Sequence, residues 1–401
     1  MKRQSLSLAA YLAMTRSAAQ RPLPDYPARQ GPVVWLHAAA PQDVAAIRSF
    51  LCRLLPQGDD IQAVVTGVAP NLSDNMMTCV EAPGESQAEI MHFLSHWRPV
   101  FGVWNGTDMR PALLYRAAER GCRLVAVNLR DSAISASARG WRPDASHAIL
   151  DVFETLHATD AAALARLQKL GLPGEKLHLS GSFRETPMPL PVDEDLLEDM
   201  ATHLSARPVW LAARVDADEI EIVLQSHQRA GRLAHRLLLV LSPAPDVRVG
   251  DVEHMLRDHG LRWMRWNGHQ MPEEATQVIL SPDPELLGLW YRLSPVCFLG
   301  GSLSNGRGGT DPMEAAALGS AIIYGPNVGR HLGAYSLLAE AGGARIVRDA
   351  DTLASAVQTI QAPDKSAAMA HAAWDVATSG APLADTLVEQ ALDAIDLAGV
   401  V

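Results

Sequence analysis

Between Phe298 and Pro326 the chain reads FLGGSLSNGRGGTDPMEAAALGSAIIYGP, and no other segment constrains its fold as tightly. An apolar run ends in Gly300-Gly301 and a glycine-rich loop follows. Asp311-Pro312 then opens an Ala-rich helix with Glu314 in its first turn, and a second apolar run, Ala321 to Tyr324, stops at Gly325-Pro326. Proline at the start of a helix forfeits no hydrogen bond, and an aspartate just before it can accept from the free N–H groups. Glycine lets a backbone approach a ligand closely, and the positive end of a helix favours phosphate. Glycine content alone leaves the segment open between a ligand loop and an ordinary, well-capped corner. Its place beyond the end of a parallel strand, where open α/β sheets hold their ligands, favours the loop.

The same alternation of apolar strand and helix runs through the chain. Val33 to His37 reads as a strand, Val44 to Leu55 as the helix after it, and Ile61 to Thr66 as a second strand. His92 to Pro99 leads into a strand at Val100 to Trp104, and a helix from Pro111 to Arg120 leads into another at Leu124 to Asn128. Ala148 to Leu150 and Leu177 to Gly181 read as later strands. A second series begins after the Pro-rich Pro187 to Pro191 and the acidic helix Asp193 to Met200. Its strands are Val209 to Ala213, Arg236 to Leu241, Ala275 to Leu280 and Val296 to Leu299, with helices at Asp218 to Ala230 and Leu286 to Leu293. Apolar strands between helices imply parallel sheets covered on both faces. With 401 residues, 48% of them hydrophobic, there is material for two such cores. The expected fold is α/β, with two Rossmann-like domains facing across a cleft. The boundaries fall at 1–30 for an N-terminal amphipathic or membrane-associating segment, 31–190 and 205–380 for the two domains, and 381–401 for a C-terminal helix that packs back across the first domain.

A formal charge of −11 argues against broad nucleic-acid binding and against general attraction to anionic lipid. Cys52, Cys79, Cys122 and Cys297 are far apart and have no metal-ligand spacing, which suits buried thiols in a reducing compartment. The histidines form no HExxH cluster, so neither a metal nor a cofactor is expected. The first strand runs into His37-Ala38-Ala39-Ala40-Pro41 with no GxGxxG, which gives a nicotinamide site little support. At the N-terminus, Lys2-Arg3 precede a short apolar stretch, Leu6 to Met14, closed by Arg16. It is too short to span a bilayer and a poor signal peptide, and it fits a helix that packs on the body or touches a membrane surface.

The glycine-rich segment resembles the donor-nucleotide loop of the 3-deoxy-D-manno-octulosonic acid (Kdo) transferases, whose pattern is GGSL, then GGHNPLE, then a GP turn. Here it stands as Gly300-Gly301-Ser302-Leu303, Gly308-Gly309-Thr310-Asp311-Pro312-Met313-Glu314 and Gly325-Pro326, with Thr310-Asp311 in place of His-Asn. Trp35 to Asp43 is similar to the family's WxHAxSxGE, Thr107 to Pro111 to its TELWP, Asn128 to Ser132 to its NxRLS, and Gly181 to Arg184 to its GNLK. The family's THEGE appears as Val215 to Glu219 without the histidine. Its PRHPER corresponds to Leu241 to Asp246 without the arginine and histidine.

The resemblance implies a GT-B-type glycosyltransferase that moves Kdo from CMP-Kdo to a lipid A precursor with inversion, in lipopolysaccharide biosynthesis at the cytoplasmic face of the inner membrane. Its partners would be a CMP-activated sugar donor, a lipid A precursor and, peripherally, the inner-membrane surface, with no nucleic acid. Asp43 and Asp108 take the family's catalytic carboxylate positions, Asp43 as the base on the acceptor hydroxyl. Position alone also suits Asp43 as a cap for the following helix. Asn128, Arg130 and Arg184 fall at acceptor or anion contacts, since an arginine beyond a buried strand can hold a carboxylate or phosphate bidentately. Gly301, Ser302, Gly308, Gly309, Thr310, Asp311, Pro312 and Glu314 fall at nucleotide contacts. With the cationic positions lost, either Arg214, Arg330 or His331 compensates or donor affinity falls. The alternatives are a related glycosyltransferase with another donor or acceptor, and a non-catalytic paralogue that binds a sugar or a protein.

Overall fold

The computed structural model describes residues 6–15, 21–41, 43–58, 60–106, 109–131, 143–205, 207–268 and 270–399. They form two compact units, Met1–Thr186 with Ser379–Val401, and Pro187–Thr378.

In the first unit seven strands run β1 Val33–His37, β2 Gln62–Thr66, β3 Thr78–Val80, β4 Phe101–Asn105, β5 Arg123–Leu129, β6 Thr155–Ala158 and β7 Leu177–Leu179. They pair in the order β3-β2-β1-β4-β5-β6-β7, every pair parallel. Strands buried on both faces must be apolar at every position rather than at alternate ones, and β1 (VVWLH) is buried throughout. Its Val33 and Trp35 enter one core with helices α1 Leu6–Thr15, α3 Gln87–Trp97 and α4 Pro111–Glu119. Its Val34 and Leu36 enter the other with α2 Asp43–Leu54 and the final helix, Ala381–Gly399. That final helix contributes Leu383, Leu387, Val388, Ala391 and Ala394, whose spacing of three and four keeps them on one face.

The second unit repeats the plan. Strands β8 Val209–Val215, β9 Leu238–Pro243, β10 Trp263–Arg265, β11 Val278–Leu280, β12 Val296–Leu299, β13 Ala321–Tyr324 and β14 Ala344–Ile346 pair in the order β10-β11-β9-β8-β12-β13-β14, again all parallel. In each sheet the order reverses beside its first strand, between β1 and β4 and between β8 and β12. Ligands of open α/β sheets bind at that reversal, beyond the carboxyl ends of the strands.

One expected strand is corrected. Ala148 to Leu150 ends a helix, Pro143–Leu150, and the strand at this point is Thr155–Ala158. Three apolar residues fit a helix turn as well as a strand, and proline suits the first turn of a helix. The short strands β10 and β14 escaped notice because their residues are partly exposed and carry polar side chains.

The N-terminal helix is bound to the first unit. Leu8 and Leu12, one turn apart, are buried in its core, and the Tyr11 hydroxyl donates to Glu85 Oε2 at 3.0 Å. Farther on, Tyr26 packs its ring on His92 and Trp97. Met14 projects outward, 74% exposed. Among the described residues no helix is long and apolar enough to cross a membrane.

Candidate functional site

At the reversal point of the first sheet, His37 ends β1 with its ring stacked on Trp104, centroids 3.8 Å apart, and its Nδ1 2.9 Å from Thr66 Oγ1. The chain then turns tightly against β2. At Gly67, which has φ +90°, a Cβ would lie 1.9 Å from the Ala38 carbonyl oxygen, so only glycine permits this approach. Asp43 ties the turn down from the first position of α2. Its Oδ2 accepts from the N–H groups of both Ala39 and Ala40 at 3.0 Å. Among the described residues no donor reaches Oδ1, and the residue is half-buried.

The other first-unit positions divide. Asn128 sits at a bulge in β5 with φ +57°. Its amide donates to Asn105 Oδ1 at 2.8 Å and to the Phe183 carbonyl at 2.9 Å, and its Oδ1 accepts from Phe183 N at 2.8 Å. The side chain thus fastens the ends of β4 and β5 to the Phe183 segment. Asn128→Ala should destabilise the protein by about 2–4 kcal/mol, from lost hydrogen bonds and an alanine forced to positive φ, measured by denaturant unfolding. Arg184, one residue beyond Phe183, is partly buried; among the described residues no carboxylate pairs with it, and burial lowers its pKa. Arg130 is exposed just past β5. Asp108 lies outside the described residues.

In the second unit the organising residue is Glu219, fully buried in the first turn of the Ala217–Gly231 helix. Its carboxylate accepts from the backbone N–H groups of Gly301 (2.7 Å), Ser302 (2.9 Å), Leu303 (2.6 Å) and Ser304 (3.3 Å), and from Asp216 N (3.1 Å). An internal anion therefore takes the amides that open the glycine loop. Gly300 is required for another reason: β8 bulges at Arg214 (φ +51°), and a Cβ on Gly300 would meet the Arg214 carbonyl oxygen at 2.4 Å. Gly309 N donates to Gly301 O at 2.8 Å and closes the loop.

Most polar side chains of this loop also face inward. Ser302 Oγ donates to Leu299 O and accepts from Gly325 N, while Thr310 Oγ1 donates to Gly300 O. Asp311 Oδ1 accepts from Met313 N at 2.9 Å, and the helix it opens after Pro312 is only Met313–Ala317. Glu314 pairs with Arg214 Nη2 at 2.8 Å; burial raises its pKa and Arg214 opposes the rise. Gly308 lies under the Arg330 side chain, whose Cγ would be 2.7 Å from an added Cβ. Arg214 and Arg330 thus stand at the loop, Arg214 already paired with Glu314.

Sequence reasoning missed Glu219 and Arg307. The first carried a signal, since Asp216 and Glu219 have capping-box spacing directly after a strand. Arg307, in the loop itself, pairs with Asp216 and Asp246. Burial pushes Asp216 up to about 6 against the pull of Arg307. Beside them a hollow of about 430 Å³ has Asp216, Asp218, Asp246, Asp251, Arg248 and Arg307 in its lining.

Two such doubly wound units have the architecture of the GT-B glycosyltransferases. The sequence model of the 3-deoxy-D-manno-octulosonic-acid transferase (kdotransferase) family matches residues 14–186. The 3-deoxy-D-manno-octulosonic acid transferase of Haemophilus influenzae is 26% identical over 339 residues, 82% of this chain and 78% of that protein. The enzyme of the same name from Rickettsia felis is 24% identical over 325 residues, 79% of this chain and 68% of its own length. Among solved structures, the C-terminal CMP-Kdo binding domain of WaaA from Acinetobacter baumannii aligns at 22% identity and a TM-score of 0.37, covering 51% of this chain and 99% of that one. Over about four-fifths of its length the chain is thus similar, at low identity, to the Kdo transferases.

Proposed function

We infer that the protein transfers Kdo from CMP-Kdo to a hydroxyl of a lipid A precursor, with inversion at the anomeric carbon. The observation that carries this reading is the Gly301–Glu314 loop, held in shape by Glu219 at the carboxyl end of β12, in a chain similar to this family. In this reading the loop and Glu314 receive the nucleotide, with Arg214 and Arg330 supplying positive charge near its phosphate. Asp43 keeps Oδ2 on the loop amides and uses Oδ1 to take the acceptor proton as the glycosidic bond forms. Asp108 belongs with Asp43 as the second carboxylate that the family pattern assigns to catalysis. Arg184 and Arg130 serve as anion contacts for the Kdo carboxylate or an acceptor phosphate, Arg184 the better placed because its guanidinium is already partly desolvated. The enzyme would work peripherally at the cytoplasmic face of the inner membrane, where such an acceptor resides.

Calorimetric titration tests the donor side: CMP should bind more tightly than UMP or ADP. Glu314→Ala should weaken CMP binding by about tenfold or more, while the loss of one charge at a helix start costs only about 0.3–1 kcal/mol of stability. Equal binding of the three nucleotides, or none, would remove CMP-Kdo as donor. One observation favours a second reading, transfer from a different activated sugar. The hollow beside Arg307 is acidic, and carboxylates there would accept from hydroxyl or amino groups of a donor and repel a phosphate.

A further inference from the structure

A cavity of the first unit, about 1020 Å³, lies at the opposite end of the sheet from Asp43. Its walls include Pro32, Val100 and Cys122, which stand at or just before the amino ends of β1, β4 and β5, whereas Asp43 follows the carboxyl end of β1. A five-residue strand separates the two ends by about 17 Å. The last turns of the final helix close one side through Ile395 and Leu397, the latter 63% exposed. Leu94 of α3 adds a further apolar surface.

Four arginines line this cavity, and no aspartate or glutamate does among the described residues. Arg123 is neutralised by Glu154, whose two oxygens it meets at 2.6 Å each. Arg29, Arg98 and Arg120 have no carboxylate partner among the described residues, in a chain with a formal charge of −11. Among the described residues each guanidinium makes one hydrogen bond: Arg29 Nε to Gly31 O, Arg98 Nε to Ser95 O, and Arg120 Nη1 to Ser95 Oγ. A guanidinium has five N–H donors, so most remain available. Arginine after a helix is commonly no more than a cap for its last carbonyls. Arg98, however, occupies a left-handed position, φ +44°, that glycine fills without strain, and a cap alone does not require a side chain there.

We propose that this cavity is a second binding site, for a phosphate monoester carried on an apolar chain. The phosphate would sit among Arg29, Arg98 and Arg120, and the chain would lie along Leu94, Ile395 and Leu397. The volume is at the upper end of what small-molecule sites enclose. Planar guanidinium groups suit the tetrahedral oxyanion, and the apolar wall distinguishes an amphiphile from free phosphate.

Titration of the full-length protein with monomeric decyl phosphate, with inorganic phosphate, and with phosphatidylcholine vesicles with and without phosphatidate tests this. Saturable binding of decyl phosphate at least about tenfold tighter than inorganic phosphate is expected. Arg98→Gln with Arg120→Gln should weaken it by about tenfold or more and leave CMP binding in the second unit unchanged. Arg98→Gly separates capping from binding, because glycine should raise the melting temperature and still weaken the ligand. Binding of the monomer points to a soluble ligand, and binding confined to phosphatidate vesicles to a lipid headgroup, both through the same arginines. Absence of binding in every arm, equal affinity for decyl and inorganic phosphate, or binding untouched by the double substitution would overturn the assignment.

Discussion

Glu219→Ala should cost about 3–5 kcal/mol of stability and abolish measurable nucleotide binding, the largest structural effect expected of any single substitution in the second unit. The carboxylate is wholly buried and gathers four consecutive loop amides together with Asp216 N. Alanine leaves those N–H groups without an acceptor in a space too closed to hydrate them freely. The loop would then either stay desolvated or open, and in both cases Gly301 to Ser304 lose the path that leads to Gly308 and Glu314. Glu219→Gln keeps the volume but turns an NH2 group toward N–H donors, so one carbonyl oxygen must serve a set that two charged oxygens served. Its stability should fall between wild type and alanine, as should its affinity for CMP. Denaturant unfolding and calorimetry on the same three proteins give both rankings. A loss below about 1 kcal/mol in the alanine variant would show that the loop is held by its other bonds, chiefly Gly309 to Gly301 and Ser302 to Gly325.

The parts of this architecture visible in the sequence are those written as contiguous apolar runs. Residues such as Val33 to Leu36, Val209 to Ala213 and Val296 to Leu299 must be buried on both faces, and that condition is local. The glycine loop was visible for the same reason: close approach and positive φ at Gly301, Gly308 and Gly309 are written in residue type. What stayed hidden depends on partners far along the chain. Glu219 acts on amides more than 80 residues away, and its carboxylate reads locally only as the end of a capping box. Asn128 looks like a free loop amide until Phe183, 55 residues later, proves to occupy it. Arg307 lies in a loop rich in glycine and serine, and nothing nearby announces that Asp216 and Asp246 converge on it. Ala148 to Leu150 was misread because a run of three carries no period at all.

Asp43→Asn should reduce transfer by about 10²–10⁴ while leaving the fold and donor binding near normal, the range that loss of a general base produces. The structure makes asparagine a sharper substitution than position alone suggested. Among the described residues Asp43 accepts from no N–H of the helix it begins; it reaches back, and a single oxygen receives both Ala39 N and Ala40 N. The asparagine carbonyl can hold the same two amides, so the turn over Gly67 survives while the second oxygen becomes an NH2 that cannot accept a proton. Asp43→Ala, in contrast, frees both loop amides and should lower stability by about 1–3 kcal/mol as well as activity. Asp43→Glu restores the family's residue at this position but must carry the carboxylate one methylene farther from the loop. Misplacement by about 1 Å can cost roughly a hundredfold in rate, so its activity should recover only in part unless the turn adjusts. Measurement of transfer alongside thermal unfolding separates the outcomes. Unchanged turnover in the asparagine variant would remove Asp43 from the chemistry and leave it the role the backbone already shows, holding the turn that follows β1.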